Sequence, residues 1–476
     1  MRVVLAFAVN SFFNFIIGLM VARFLGPAEY GRFALALALG IVVQTAFFDW
    51  LKLAATRFYS QRSRETAPEL RATLDLAYAV LTCAATLAII AIVFSGFEFQ
   101  LSNALVGLAF ATAIANGLFD YNTALVRARF MDHHYARLVI VKNIAALLLT
   151  GGGAFWFGSA QMTLMGTCLA LAGSVVSVRL ALHDPQSPPR LASAPVARRA
   201  IAYAFPVIAA NVLYQLVPFF NRGLIAEHYG FAESGQFSLA FDIGIRIVAA
   251  IGSTLDVLLF QIAVALDETH GPERARGQIA RNFAIVLAIV APACAGLWLT
   301  LPSIEYLVVP HEFHGPFAHY LGLLLPGLFC YALLYYGLNP VFQIARRTAP
   351  LVLTALVASV ADVLVVLALP RGTGAGLVAL VQGGMFMLAF AVLAGFAIAA
   401  RTPWPPLREA LWTAIATAAM FAALLPLRAA PPGGLTLALQ IVAGILVYGG
   451  FTALFDIAGL RSNLLRWKQK QPGGVT

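Results

Sequence analysis

The sequence predicts an all-α protein that crosses a membrane fourteen times, as two six-helix lobes and a C-terminal helix pair. Three observations predict this fold: an unusually apolar composition, fourteen apolar stretches of spanning length, and an internal repeat. Hydrophobic residue types make up 61% of the 476 residues and charged types only 11%, whereas soluble domains contain about 25% charged residues. Because so few polar side chains could not cover a core this large, lipid must cover it instead.

The apolar stretches give the number of membrane spans. A helix needs about 20 mostly apolar residues to cross the hydrocarbon core. Fourteen stretches meet this length, and they lie at 3–25, 32–56, 72–94, 104–126, 138–157, 162–182, 201–226, 235–263, 282–301, 317–341, 349–368, 375–399, 407–427 and 435–457. The first of them is too long for the apolar region of a signal peptide and predicts an uncleaved helix.

The distribution of basic residues supports this count and predicts the orientation. When the loops are assigned alternately to two sides, 24 of the 31 Lys and Arg residues fall on one side and four on the other. The remaining three, Lys52, Arg222 and Arg246, lie within spans. The side rich in positive charge is the cytoplasmic one, so both termini are predicted to be cytoplasmic. This orientation accounts for the net charge of +10 without nucleic-acid binding.

The sequence contains a repeat with a spacing of 204 residues. The segment ARFLGPAEYGRFALALALGI, from Ala22, aligns with AEHYGFAESGQFSLAFDIGI, from Ala226, and ten of the twenty positions are identical. Each copy forms the outer turn between two spans, and six spans separate the copies. Since six is even, the halves have the same orientation and form a parallel repeat, an arrangement that suits alternating access in transporters.

The repeat also sets the predicted domain boundaries. Residues 1–182 form an N-lobe with spans 1–6, and residues 201–400 form a C-lobe with spans 7–12. Residues 183–200 between them are rich in Pro, Ser and Arg and predict an exposed cytoplasmic linker. Residues 401–476 contain spans 13 and 14 and a cytoplasmic tail.

Several motifs resemble those of a known family. These are ARFLGPAEYGRFALALALG after the first helix, ALVRARFMDHHYARLVIVKNI after span 4, PVFQIARRTAPLVLTALVASVADVLVVLALP across span 11 and GTGAGLVALV opening span 12. Together they resemble the polysaccharide transporter family, which contains the O-antigen and exopolysaccharide lipid-linked oligosaccharide flippases. This family belongs to the multidrug/oligosaccharidyl-lipid/polysaccharide exporter superfamily. The resemblance implies the MATE-like fold with fourteen spans.

The resemblance also implies a function. Such a protein moves an oligosaccharide on a polyprenyl pyrophosphate across the bacterial inner membrane, from the cytoplasmic to the periplasmic leaflet. The partners it implies are the lipid-linked oligosaccharide and membrane lipids, with a polysaccharide polymerase and a chain-length regulator as candidate protein partners. Two alternatives remain: an ion-coupled exporter of small molecules on the same architecture, and a membrane enzyme or assembly scaffold of the same pathway. No cofactor is implied, and the driving force is proton or sodium coupling or removal of the product.

Charged residues inside spans are the candidate site residues, because charges in a bilayer usually face a protein interior or a water-filled cavity. On span 8, Asp242, Arg246 and Asp256 share one helical face. Arg222 on span 7 is predicted at a similar depth to Asp242 and is expected to pair with it or share water. Arg246 and Arg222 are then candidate ligands of pyrophosphate in a substrate cavity, since guanidinium donates to phosphate in a planar fork. The alternative role is a structural ion pair that neutralises Asp242.

Two further groups of charges have other predicted roles. Asp49 and Lys52 on span 2 lie near the cytoplasmic interface, and Lys52 occupies the repeat position of Asp256. These three residues predict either a salt bridge or snorkelling, or contacts that close an inner gate between the lobes. Asp120 on span 4 and Asp362 on span 11 have no nearby cation in the sequence. They are candidates for carrying a coupling proton or sodium ion, with hydrogen-bonded packing as the alternative.

The sequence gives no signature of catalysis or metal binding. No phosphate-binding P-loop is present, and HEFH at 311–314 does not have the spacing of the HExxH zinc motif. The four cysteines lie in apolar stretches without a CxxC pair. We therefore expect a transporter that is not an enzyme and has no metal site.

Overall fold

The computed structural model describes residues 2–94, 100–345, 347–370 and 372–462, and these residues contain helices and no β-strand. Side chains at 2–11 and at several positions between 253 and 272 are outside the description. The eighteen α-helices are α1 (Arg2–Phe47), α2 (Asp49–Phe58), α3 (Gln61–Thr66), α4 (Pro68–Phe94), α5 (Asn103–Ala128), α6 (Asp132–Ala145), α7 (Gly151–Phe157), α8 (Ala160–Val176), α9 (Arg179–Leu182), α10 (Ala194–Tyr229), α11 (Phe231–His270), α12 (Pro272–Val308), α13 (Pro316–Ala332), α14 (Asn339–Ile344), α15 (Ala349–Ala368), α16 (Ala375–Ala399), α17 (Leu407–Arg428) and α18 (Gly434–Phe455).

Two of these helices are continued by π-helical segments. Ala146–Thr150 joins α6 to α7, and Leu333–Leu338 joins α13 to α14. A single π-helical turn keeps the backbone hydrogen-bonded while it changes the direction of a helix. The predicted fifth and tenth spans are therefore each continuous across a local irregularity.

The predicted all-α membrane fold is confirmed. Twelve helices of the described chain are long and apolar enough to cross a membrane. The count of fourteen is compatible with this number and stays a prediction. Its first span and most of its second lie in α1, which has a break at Gly26, and the second span continues into α2. Its sixth span corresponds to α8, a shorter apolar helix.

The repeat has a structural counterpart in the two outer turns. Gly26 has φ 66° and ψ 174°, and Gly230, its repeat partner, has φ 89° and ψ 163°. Positive φ is costly for residues with a Cβ atom and is readily adopted by glycine. The same glycine therefore ends the first helix of each copy, although the two helices of the first copy run on as α1.

The two copies also meet each other. A Cβ atom on Gly31 would lie 2.0 Å from the carbonyl oxygen of Phe231, and one on Gly235 would lie 2.0 Å from that of Pro27. Phe231 and Gly235 are the repeat partners of Pro27 and Gly31, so the contact is reciprocal. Reciprocal contacts of this kind are the mark of a twofold relation. Glycine is required because the backbones approach too closely for a side chain.

The chain divides into two compact units. The first contains residues 1–239 and 355–378, and the second contains residues 240–354 and 379–476. The first has a core around Phe48, Leu51, Tyr121 and Leu125. The second has a core where α12 and α17 meet the turn after α18, around Ala288, Ala416 and Ile457. The predicted division into lobes at 1–182 and 201–400 stays a prediction.

The predicted linker is held against the first unit at several points. Arg64 of α3 donates from Nε to Asp184 Oδ2 at 2.8 Å, and the backbone nitrogen of Ser193 donates to Thr73 Oγ1 at 2.9 Å. The Arg64 hydrogen bond and charge outweigh the effect of burial on Asp184 and lower the pKa of its carboxyl group. Residues 183–200 are thus partly exposed and are attached to α3 and α4.

Candidate functional site

A group of polar side chains lies within the apolar helices of the first unit, and we call it the polar cluster. It consists of Gln44 on α1, Asp49 and Lys52 on α2, and Asn116 and Asp120 on α5. Helix α1 ends at Phe47 and α2 begins at Asp49, which leaves only Phe48 between them. Phe48 is 1% exposed and anchors this junction in the core, so the side chains before and after it are held together.

Gln44 connects the cluster through its amide group. Asn116 donates from Nδ2 to Gln44 Oε1 at 2.5 Å. The Gln44 Nε2 group donates to Asp49 Oδ1 at 3.1 Å and to Asp120 Oδ2 at 3.3 Å. Gln44 is buried, with 6% of its surface exposed. A buried amide is costly unless its polar atoms are hydrogen-bonded, and these three bonds meet that requirement.

Lys52 supplies the positive charge of the cluster. Its Nζ atom donates to Asp120 Oδ2 at 2.8 Å, and the side chains of Lys52 and Asp120 are 45% and 22% exposed. The pair is therefore accessible from one side, unlike the buried Gln44. The cluster thus contains one ammonium group and two carboxylates, and Asp49 accepts a hydrogen bond from Gln44.

The structure changes the basis of two predictions about these residues. The salt bridge predicted for Lys52 is present, but its partner is Asp120 rather than Asp49. The coupling role of Asp120 was predicted because the sequence shows no cation near it. That premise is wrong, since α2 and α5 bring Lys52 to it across 68 residues of chain. The gate role of Asp49, Lys52 and Asp256 stays a prediction, and the side chain of Asp256 lies outside the described residues.

Asp362 lies in a different environment from Asp120. It is 2% exposed, and Asn221 Nδ2 donates to its Oδ2 at 3.1 Å. Asn221 is itself 0% exposed. This bond joins α15 to α10 inside the first unit and fits the alternative role of hydrogen-bonded packing. The proposed coupling role of Asp362 remains open to test.

Arg222 is buried in this structure. It is 4% exposed, and its Nη1 donates to the carbonyl oxygen of Ala34 on α1 at 3.2 Å. Its own carbonyl oxygen accepts a hydrogen bond from Ser234 Oγ at 2.9 Å. These contacts support a role in packing α10 on α1. Binding of substrate by Arg222 would require another conformation, because burial leaves no room for a ligand.

Arg246 and Asp242 are more accessible than Arg222. Both lie on α11 in the second unit and are half-buried. They are four residues apart and therefore face the same side of the helix. The pairing predicted between Arg222 and Asp242 joins the two units and stays a prediction.

Sequence reasoning missed the residues that organise the polar cluster. Gln44 and Asn116 are uncharged, and the search for a site considered charges within spans. Lys142 on α6 likewise donates to Asn14 Oδ1 at 3.0 Å. The available signal was the run of polar residues at 44, 49 and 52, which recur on neighbouring turns of one apolar region.

Among the described residues, no group of three His, Cys, Asp or Glu side chains is placed to hold a metal ion.

Comparisons with known proteins identify the fold and the family. A family model described as "Polysaccharide biosynthesis protein" matches residues 20–308. The chain is similar to a solved structure described as "Lipid II flippase MurJ, inward closed conformation", with 14% identity, a TM-score of 0.70, and coverage of 94% of this chain and 98% of that one. No curated protein matches the sequence.

Two further solved structures share the fold. One is a multidrug resistance MATE family transporter of the MOP superfamily in an inward-facing conformation, with 14% identity, a TM-score of 0.58, and coverage of 88% and 95%. The other is a MOP superfamily transporter from Pyrococcus furiosus, with 14% identity, a TM-score of 0.52, and coverage of 88% and 94%. These identities are low, so the likeness establishes the fold and leaves the substrate open.

Proposed function

Because the chain belongs to the polysaccharide biosynthesis protein family, we propose that it translocates a polyprenyl-pyrophosphate-linked oligosaccharide across the bacterial inner membrane. The chain is a multi-pass membrane transporter of the MOP superfamily and is not an enzyme. The product would serve surface polysaccharide synthesis, as O-antigen, capsule or exopolysaccharide. The direction is from the cytoplasmic to the periplasmic leaflet, in the orientation that the basic residues predict with both termini inside.

The observation that carries this proposal is the family match, which spans both copies of the repeat and includes every residue of the polar cluster. Two like-oriented halves suit an alternating-access mechanism around a site in the membrane. The half-buried Arg246 is the cation that would meet an anionic pyrophosphate, since its guanidinium can donate two parallel bonds to phosphate.

Reconstituted transport tests the assignment of Arg246. The chain is placed in proteoliposomes with a fluorescent polyprenyl-pyrophosphate oligosaccharide, and exposure of the label to a membrane-impermeant quencher is followed. We expect Arg246→Glu to lower the rate at least about tenfold, or ~1.4 kcal/mol, and Arg246→Lys to lower it less. Arg198→Glu is the control, because it makes the same charge change at an exposed position on α10. Normal transport by Arg246→Glu at an unchanged protein level would disprove the role of Arg246.

The second candidate function is ion-coupled export of small molecules. Asp362 favours it, because a buried carboxyl group hydrogen-bonded to Asn221 is a suitable carrier of a proton. Efflux of a cationic dye from the same proteoliposomes, driven by a proton or sodium gradient and abolished in Asp362→Asn, would support the exporter. Movement of the labelled oligosaccharide, with no dye efflux, would support the flippase.

A further inference from the structure

The second unit contains a cavity of about 380 Å³ that is lined by three arginines, and we call it the arginine cavity. Arg276 lies in the first turns of α12, Arg347 lies just before α15, and Arg401 follows α16. The other lining residues are Ala275, Ile279, Val341, Phe342, Ile344, Ala345, Ala400, Thr402 and Pro403. Three chain segments that are far apart in sequence thus bring guanidinium groups to one opening.

The positive charge of this cavity is not balanced by an acidic residue among the described residues that line it. All three arginines are exposed. Within the described part of the chain, none of the three takes part in a salt bridge. The bias of basic residues toward one side of a membrane accounts for arginines in these loops, but it does not require them to line one cavity.

The backbone at Arg401 gives a second, independent observation. After α16, Arg401 N donates to the carbonyl oxygen of Ile398 and Thr402 N donates to that of Ala397. This is the Schellman pattern, which usually has glycine at the position of Arg401. Arg401 has φ 50° there, a left-handed conformation that a residue with a side chain adopts less readily than glycine. The turn fixes the backbone of Arg401 at the edge of the cavity.

Apolar residues follow the cavity directly in the chain. Trp404 is 37% exposed, Leu407 is 82% exposed and Leu411 is 57% exposed, at the start of α17. Tryptophan is enriched where the headgroups of a bilayer meet its hydrocarbon core. A ligand with a charged head and an apolar tail would contact both surfaces, whereas a small soluble anion would use only the arginines.

We propose that the arginine cavity binds the phosphate group of an anionic phospholipid of the surrounding leaflet, with the acyl chains lying along the apolar start of α17. Arginine donates to phosphate oxygens in a planar fork, and basic pockets between membrane helices are known to accept acidic headgroups. This site is separate from the polar cluster and from Arg246. It would hold a resident lipid whether or not the chain transports an oligosaccharide.

Lipid binding to the full-length protein tests the proposal. The purified chain in a neutral detergent is titrated with dioleoylphosphatidylglycerol, and bound lipid is counted by native mass spectrometry. We expect the triple variant Arg276→Gln, Arg347→Gln and Arg401→Gln to bind about a hundredfold more weakly, since it removes all three cations that face the phosphate. The matched control is Arg62→Gln, Arg190→Gln and Arg198→Gln, which removes three exposed arginines of the first unit and should bind like the wild type.

Two further arms identify the source of the phosphate. Dioleoylphosphatidylcholine should bind much more weakly than phosphatidylglycerol, because its headgroup has no net charge. Inorganic phosphate at millimolar concentration should not displace phosphatidylglycerol. Displacement would overturn the lipid assignment in favour of a soluble anion, and equal binding of the two lipids would overturn the role of charge.

The variant Arg401→Gly separates binding from folding. Glycine fits the positive φ at this position, so the variant should keep or raise the melting temperature while it weakens phosphatidylglycerol binding about tenfold. Unchanged binding in both Arg401→Gly and the triple variant would disprove the proposal. Weak binding together with an intact melting temperature would support it.

Discussion

The two units use the same residue type in different ways on the arginine-rich side of the chain. In the first unit, Arg64 and Arg71 form salt bridges with Asp184 and Asp75. Arg57 and Arg199 lie over the rings of Tyr203 and Phe58. In the second unit, six arginines line two cavities, and within the described residues none has an ion pair: Arg274, Arg276, Arg281, Arg347, Arg401 and Arg408.

The excess of basic residues on one side of the chain thus has two different consequences in the two units. The orientation of the chain depends on an excess of positive charge on one side of the membrane and does not depend on what those charges contact. The first unit uses several of these charges to attach its short helices and linker. In the second unit the nearby acids are used elsewhere: Glu409 accepts from the backbone nitrogen of Ala458 at 2.6 Å, and Asp456 accepts from that of Ser462 at 3.0 Å. Its arginines therefore remain available for an external anion.

The largest expected effect is at Arg71, where the comparison predicts a structural role. Arg71 is 7% exposed, and its Nε donates to Asp75 Oδ2 at 2.7 Å. Tyr121 donates to the same carboxylate at 2.7 Å. Arg71→Gln should lower the free energy of unfolding by about 2–3 kcal/mol, because it removes a buried guanidinium that pairs with Asp75 and lies over the ring of Tyr121. Thermal unfolding in detergent measures the loss, and Arg62→Gln, at an exposed position on α3, should show almost none.

The second prediction concerns the polar cluster, where the cation is a lysine. Lys52→Ala should lower the free energy of unfolding by about 1–2 kcal/mol, less than for a fully buried pair because Lys52 is 45% exposed. The double variant Lys52→Ala, Asp120→Asn should recover part of this loss, since it removes the carboxylate charge as well. Equal losses of stability in the single and double variants would mean that Lys52 and Asp120 are not energetically coupled.

The third prediction is a smaller effect that depends on pH. Arg64→Gln should cost about 1 kcal/mol near neutral pH. The pKa of Asp184 is lowered in the folded protein, so the contribution of the pair is present above the ordinary aspartate range and is lost as pH falls through the lowered value. The difference in melting temperature between wild type and Arg64→Gln should therefore shrink below about pH 4. A difference that stays constant to lower pH would exclude Asp184 as the titrating group.

The smallest effect on stability is expected in the second unit. The triple variant Arg276→Gln, Arg347→Gln and Arg401→Gln should change the free energy of unfolding by less than about 0.5 kcal/mol in neutral detergent, because exposed side chains without ion pairs contribute little. The same measurement on Arg64→Gln gives the contrast between the units. A loss in the triple variant as large as that for Arg71→Gln would break the comparison, since it would mean that these arginines also hold the fold together.

The sequence predicted the site less completely than the fold. Charges within apolar stretches identified Lys52, Asp49 and Asp120 as important, because charges are rare there. The sequence could not identify Lys52 as the partner of Asp120, because this pair joins α2 and α5 and forms only when the helices pack. Arg222 illustrates a second limit: its depth suggested a cavity, whereas its contact with the carbonyl oxygen of Ala34 depends on how closely α10 lies against α1.

The sequence by itself determined the properties that depend on composition and spacing. These are the membrane-spanning helices, the excess of basic residues in the loops of one side, and the repeat, in which Gly26 and Gly230 share a positive φ. Hydrophobicity and backbone sterics act locally, so they can be read along the chain. Only the tertiary structure decided which charges are neutralised, because ion pairs form between helices that packing brings together. For that reason the structure, and not the sequence, distinguishes the paired arginines of the first unit from the open arginine cavity of the second.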